Sequence, residues 1–240
     1  MFWVFYICSM KSLVVLTGAG ISAESGLKTF RDSGGLWEGY SIEEVATPEA
    51  FQKHPERVLR FYNERRQQLD LVHPNKAHVL LAKLEAFYHT TIITQNVDDL
   101  HERAGSSHVL HLHGELRWAC SAAQRERRVF LGSRDILNGE RHEDGSLLRP
   151  DIVWFGEAVP MMEVAIPHVI AADILVVVGT SLEVYPAASL LHYAPASTRI
   201  FIIDPFRHGR LENPQINVIS KTATEGMQEL FRILVPDEND

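Results

Sequence analysis

The chain has 240 residues, 45% of them hydrophobic and 22% charged, a composition suited to a globular fold with a sizeable core. A formal net charge of −8 excludes a broad basic surface, so nucleic acid is not expected as a main partner. Two cysteines, Cys8 and Cys120, are too few for a disulfide framework, which predicts a reducing, cytoplasmic setting.

The opening stretch MFWVFYICSM is apolar, but it is about half the length of a spanning helix and has no basic residue ahead of it. Neither a signal peptide nor a membrane segment is predicted. Residues 1–9 read either as an added β-strand or as a stretch ahead of a true start at Met10.

The first clear strand is 13–17, followed by Gly18-Ala19-Gly20-Ile21-Ser22-Ala23. This G-x-G-x-x-A turn stands where a dinucleotide fold holds its pyrophosphate, although a purely structural turn would use the same glycines. Residues 34–71 break the strand–helix rhythm. Thr47-Pro48-Glu49 and His54-Pro55-Glu56 each open a helix there by the rule that proline suits a first turn. Strand 91–94 and a further short strand lead to two polar clusters, Gln95-Asn96-Val97-Asp98-Asp99 and His111-Leu112-His113-Gly114. Polar groups bunched at strand ends belong in a site more often than in a core.

Residues 115–149, dense in Arg and Glu, form a second interruption. Strand 174–178 leads into Gly179-Thr180-Ser181, a second turn able to hold phosphate or ribose oxygens. Strand 200–203 ends at Asp204, which reads equally as a ribose ligand or as a turn-initiating Asp before Pro205.

Short strands that are apolar on both faces suit a parallel sheet covered by helices. The predicted fold is α/β: one domain over 1–240, with a Rossmann-like doubly wound parallel sheet (11–33, 72–114 and 150–235). The two insertions (34–71 and 115–149) form a smaller lobe, and a cleft between lobe and sheet is the natural ligand site.

In order and spacing, the segments 18–31, 94–101, 111–114, 153–157 and 179–181 resemble the sirtuin family over about residues 11–235. The resemblance implies an NAD-dependent protein-lysine deacylase that yields nicotinamide and 2′-O-acyl-ADP-ribose. It implies that Gly18, Ala19, Gly20, Ile21, Ala23, Glu24, Thr29, Phe30 and Arg31 wrap NAD, with Gln95 on ribose hydroxyls. Asn96, Val97 and Asp98 would line the nicotinamide pocket, and Gly179, Thr180, Ser181, Asp204 and Ala223 would complete the cofactor site. His113 matches the general base, with Asn96 and Asp98 as its catalytic companions. Val153, Trp154, Phe155, Gly156 and Glu157 would pair with a substrate peptide as an added strand.

Tyr62 and Arg65 lie three residues apart on one predicted helix, hence on one face, where a phenol and a guanidinium can share one carboxylate. With the small Ala46, they resemble the desuccinylase, demalonylase and deglutarylase branch, which implies that acidic acyl-lysine is preferred and acetyl-lysine is a weaker substrate. The alternative for Arg65 and Arg66 is plain surface charge. Family members usually bind a structural zinc through two Cys-x-x-Cys pairs, whereas here the corresponding interval holds only Cys120. A tetrahedral site needs four ligands; His142, Glu143 and Asp144 are unfavoured substitutes, so no metal is expected. Contacts of Trp118, Val129, Phe130 and Leu131 are expected to hold the lobe.

Lys28 stands where the family commonly has Pro, and Asp204 where Asn is common. The rival readings are a primary deacetylase, a mono-ADP-ribosyltransferase, and an NAD-binding protein without catalysis. Acyl-lysine proteins or peptides are the expected partners, with no membrane partner and a monomeric state.

Overall fold

A computed structural model describes residues 10–28, 39–182, 184–206 and 215–235. The expectations for residues 1–9 and for Thr29, Phe30 and Arg31 lie outside the described residues. In chain order the elements begin with β1 (Ser12–Thr17), α1 (Gly20–Ala23), α2 (Ile42–Val45), α3 (Pro48–Lys53), α4 (Pro55–Gln68) and α5 (Lys76–Leu84). Next come β2 (His89–Thr94), α6 (Leu100–Arg103), β3 (Val109–His111), β4 (Gly114–Ser121), β5 (Arg128–Phe130) and β6 (Leu148–Ile152). The chain continues through α7 (Met161–Ile170), β7 (Ile174–Val178), a 3₁₀ segment (Ala187–Tyr193), β8 (Arg199–Ile203), β9 (Ile216–Ile219) and α8 (Ala223–Leu234).

The large sheet runs β3-β2-β1-β7-β8-β9 and is parallel throughout. In β1, Leu13 and Val15 face a core shared with α5 and α8, while Val14 and Leu16 face a core shared with α7 and the 3₁₀ segment. Alternation of side chains between two buried faces is why these strands read as unbroken apolar runs. The chain builds outward from β1 to β3 on one side and from β7 to β9 on the other. The switch point therefore lies between β1 and β7, where open α/β sheets leave a crevice at the carboxyl ends of their strands.

The smaller lobe has its own sheet, β5-β4-β6, antiparallel, and its own core with α2, α3 and α4. This sheet runs on to Ile152, past the expected end of the insertion at 149, because β6 pairs with β4. Thr47 caps α3 by accepting from the Ala50 N–H at 3.1 Å, and Pro48 and Pro55 occupy the first turns of α3 and α4, where a missing N–H costs nothing.

Candidate active site

Two glycine turns meet at the switch point. The Gly20 N–H donates to the Gly179 carbonyl at 2.8 Å, and the Gly18 N–H to that of Val178 at 3.2 Å. A Cβ on Gly20 would come within 2.7 Å of the Gly179 Cα, and Gly179 itself has φ +70°. Only glycine lets both backbones approach this closely. α1 that follows is one turn long, and Ile21 is fully buried in the sheet core. The Ile21 side chain packs in the core, and its backbone borders the crevice.

At the end of β2 the backbone turns through Gln95, Asn96, Val97 and Asp98. The Gln95 side-chain amide donates to Thr180 Oγ1 at 3.0 Å, tying the β2 end to the β7 turn. Asn96 Nδ2 donates to Ser22 Oγ at 3.1 Å, and Ser22 Oγ donates to Asp98 Oδ2 at 3.0 Å. Asp98 is 6% exposed. Burial pushes its carboxyl up to about 6, against the opposing pull of the Leu100 N–H and Ser22. Val97 is half-buried against the smaller lobe's core, and its carbonyl accepts from the Leu116 N–H at 2.8 Å.

His113 stands between the two sheets, just ahead of β4. Its Nδ1 lies 3.1 Å from the Gln95 carbonyl, which can only accept. The proton is thus fixed on Nδ1, leaving Nε2 as the lone-pair nitrogen of the neutral ring. Burial holds the pKa of His113 below the ordinary imidazole value, with Arg125 acting in the same direction. Such a ring is unprotonated near neutral pH and able to accept a proton. Gly114 has φ +83°, and a Cβ there would strike the Asp151 carbonyl, so this glycine sets the orientation of His113.

Other predicted residues take different positions. Both Glu24 oxygens are engaged by Thr222 and Thr224 at the start of α8, which makes Glu24 a helix-terminal cap. Asp204 is 3% exposed, and its Oδ1 accepts from the Phe206 N–H at 2.8 Å, the turn-initiating role. Ala23 is exposed, while Ala223 is buried as the first residue of α8.

The 153–157 segment is tied into the smaller lobe. Its N–H groups at Val153, Trp154, Phe155 and Glu157 are all taken internally, by the His113 carbonyl, Glu157 Oε2, the Ala46 carbonyl and the Trp154 carbonyl. Arg149 grips the Glu157 carboxylate at 2.6 and 3.0 Å and lies 3.4 Å over the Trp154 ring. The segment is a turn with these four donors directed inward, and it exposes Phe155 and Gly156.

This turn gathers the predicted acyl-recognition residues. Ala46, 2% exposed, reaches Phe155 through its carbonyl, and the Trp154 indole Nε1 donates to Tyr62 Oη at 3.0 Å. Tyr62 is fully buried, and burial raises the pKa of its hydroxyl. Arg65 on the next turn of α4 lies 4.9 Å over Phe61, and its Nε and Nη1 are buried with no hydrogen-bond partner among the described residues. Arg66 is fully buried and bonds the Leu116 carbonyl at 2.6 Å and Asn63 Oδ1 at 2.7 Å, joining α4 to β4. Neither arginine is simple surface charge.

In the smaller sheet Cys120 is fully buried and its thiol is pushed up to about 12, chiefly by burial. Among the described residues no group of three His, Cys, Asp or Glu side chains could hold a metal. Trp118 and Phe130 meet edge to face at 5.1 Å. The Asp151 carboxylate links Arg128 at 2.6 Å and Arg125 at 3.4 Å.

The crevice fits a dinucleotide. Two glycine turns that a Cβ would fill flank the switch point, and hydroxyl, amide and carboxyl groups from β1, β2 and β7 converge there, the donor set that sugar and phosphate oxygens require. Such a crevice, with the His113 imidazole held on the Gln95 carbonyl beside it, is that of a nucleotide-binding α/β protein with a base at its site.

Comparison with known proteins agrees. The Sir2 family model matches residues 18–186. An NAD-dependent protein deacylase of Bacteroides thetaiotaomicron is 53% identical over 95% of this chain and 99% of its own length. One from Helicobacter pylori is 53% identical over 94% and 98%. Among solved structures, a Sir2 homologue–NAD complex superposes with TM-score 0.81 at 41% identity, covering 94% of this chain and 90% of its own. A mutant Sir2 homologue with ADP-ribose gives TM-score 0.84 at 42% identity, covering 95% and 93%. The chain belongs to the Sir2 family. It is an NAD-dependent protein deacylase by class, and NAD is its cofactor.

Proposed function

We propose that this deacylase acts on acidic acyl-lysines in proteins, removing succinyl, malonyl or glutaryl groups in preference to acetyl. The observation that carries the reading is the pair of buried Arg65 nitrogens, Nε and Nη1, that have no hydrogen-bond partner among the described residues, one helical turn from buried Tyr62. The Arg65 Nη2 pairs with Glu64 Oε2 at 3.7 Å, but buried Nε and Nη1 left without acceptors cost on the order of 1–3 kcal/mol for each unmet group, and a carboxylate would satisfy those two bidentately. Ala46, small at the same wall, leaves room for a chain longer than acetyl.

When bound, NAD supplies an electrophilic ribose carbon, a nicotinamide leaving group and the hydroxyl that finally carries the acyl group. Gly18, Ala19, Gly20, Gly179, Thr180 and Ser181 would hold its phosphates and riboses, with Gln95 beside Thr180. Asn96 and Asp98 would hold the nicotinamide amide, Asp98 accepting in its ionised form. His113 Nε2 would take a proton from a ribose hydroxyl while its Nδ1–H goes on donating to the Gln95 carbonyl. Phe155 and Gly156 would meet the substrate peptide.

We further propose that the smaller lobe works without zinc, its sheet being tied by the Asp151, Arg125 and Arg128 ion pairs and by Trp118 on Phe130. The decisive experiment compares kcat/KM for succinyl- and acetyl-lysine versions of one peptide, following nicotinamide release. Equal values would sink the acidic-acyl reading. Transfer of ADP-ribose mass to the peptide, with its acyl group retained, would sink deacylation itself.

A further inference from the structure

We infer that His111 is a positioning residue for nicotinamide cleavage: clamped as an imidazolium between Glu102 and the Asn96 carbonyl, it fixes the turn that carries Asn96 and Asp98. The inference rests on the proposed reading of Asn96 and Asp98 as the groups that meet nicotinamide.

His111 ends β3 with its side chain only 7% exposed. Its Nδ1 lies 3.0 Å from the Asn96 carbonyl oxygen and its Nε2 2.7 Å from Glu102 Oε1 on α6. A carbonyl and a carboxylate only accept, so meeting both requires a proton on each ring nitrogen. The titratable groups around the ring are Glu102 and His101 from α6, the latter held neutral by burial, Asp98 from the turn after β2 and Glu115 from β4. Burial pulls the His111 pKa down, but the hydrogen bond and charge of Glu102, with Glu115 and the Asn96 carbonyl, outweigh it and the net shift is upward.

The backbone His111 holds is the one whose side chains form the Asn96–Ser22–Asp98 chain. When the ring loses a proton at alkaline pH, the charged Glu102 oxygen is the stronger claimant on the remaining N–H. The Asn96 carbonyl then faces a lone pair, and the turn loosens. A raised histidine pKa also contributes stability that is present at low pH and lost as pH rises through the folded-state value.

The first test is an NMR titration of the histidine ring protons in NAD-free protein, with His111 assigned from the signal missing in His111→Asn. His111 should titrate above the ordinary value of about 6.5 and fall by about 1 unit or more in Glu102→Gln. A His111 that titrates at or below the ordinary value overturns the inference.

The second test is the pH profile of nicotinamide release. Wild type should lose kcat on the alkaline side. His111→Asn keeps a non-titrating N–H near Asn96, and Glu102→Gln donates to Nε2, so a neutral ring can stay on Asn96. Both should flatten that limb, and a limb unchanged in both overturns the inference. His111→Phe should lower kcat by about 10-fold or more at every pH with peptide KM unchanged; a folded His111→Phe with wild-type kcat overturns it. Should that variant not fold, Glu102→Gln and the titration still decide. Asn96→Ala separates the layers. If it releases nicotinamide normally, the nicotinamide reading itself fails; if it is inactive while the His111 variants are unaffected, only this inference fails.

Discussion

The Trp154 indole donates its N–H to the Tyr62 hydroxyl oxygen at 3.0 Å, and this contact limits what Tyr62 can offer a ligand. An indole can only donate, so the Tyr62 oxygen acts as an acceptor in this contact. Burial, which raises the pKa of Tyr62, keeps the hydroxyl proton on. A phenol that stays protonated is a donor by chemistry, and Trp154 fixes where its oxygen lies. Trp154→Phe keeps a ring over Arg149 but removes the donor. The expected result is a loss of about 2–10-fold in kcat/KM for succinyl-lysine, from one hydrogen bond of ~0.5–1.5 kcal/mol, with acetyl-lysine turnover unchanged. Equal losses on both peptides would mean that Trp154 serves only packing.

Arg65→Met should separate stability from specificity. Methionine fills the guanidinium's apolar surroundings beside Phe61 and removes two buried N–H groups that have no partner among the described residues. Thermal stability of the NAD-free enzyme is expected to rise. Succinyl-lysine kcat/KM should fall by about 10–100-fold, as expected for a charge-assisted hydrogen bond of ~1.5–3 kcal/mol, while acetyl-lysine turnover persists. Thermal melts and paired peptide kinetics on one preparation check both. A variant that is less stable and equally impaired on both peptides would show that Arg65 is structural.

How much of this was legible in the sequence follows from which signals are local. Strands β1, β2, β7 and β8 were readable because each is buried on both faces and so is unbroken in apolar residues. β9 was missed because it is a four-residue edge strand with only Ile219 buried, too weak an apolar run. Gln95, Asn96, Asp98 and His113 could be read from polar clusters at strand ends. The cap formed by Glu24 on α8 could not, since its partners lie about 200 residues away in sequence. The inward donors of 153–157 were hidden likewise, because the carbonyls of Ala46 and His113 that receive them belong to other segments. Arg66 gave one usable signal: on α4 it falls on the same face as Tyr62 and Leu59, which argues for burial.

The smaller lobe should be insensitive to chelators and sensitive to loss of one carboxylate. Asp151 is 5% exposed and paired with both Arg125 and Arg128. Asp151→Asn leaves Arg125 with Glu157 and Arg128 with Glu115, and because both arginines are about a third exposed the expected cost is about 1 kcal/mol. A melting temperature lowered in Asp151→Asn, but unmoved when EDTA is added to wild type, is the expected pattern. Stoichiometric zinc in purified protein would overturn it.

Asp98 carries the clearest conflict between stability and function. Its carboxyl is pushed from the usual 3.8 up to about 6 by burial, so the folded state favours the protonated form. The sign follows from that direction. The group contributes stability that is fully present below the unfolded value of 3.8 and lost as pH rises through about 6. Near neutral pH an ionised Asp98 therefore costs about 2–3 kcal/mol, from roughly two pKa units at 1.36 kcal/mol each. Asp98→Asn removes that cost while still accepting from the Leu100 N–H, and its amide can donate to Ser22 Oγ. Melting temperature at neutral pH should rise by several degrees. Nicotinamide release should nevertheless collapse, because an uncharged amide replaces the carboxylate acceptor. In wild type the same ionisation should appear as a fall in turnover as pH drops through about 6, with protonation of His113 adding to it at lower pH. A stabilised Asp98→Asn that still releases nicotinamide at the wild-type rate would show that the buried charge is kept for something other than catalysis.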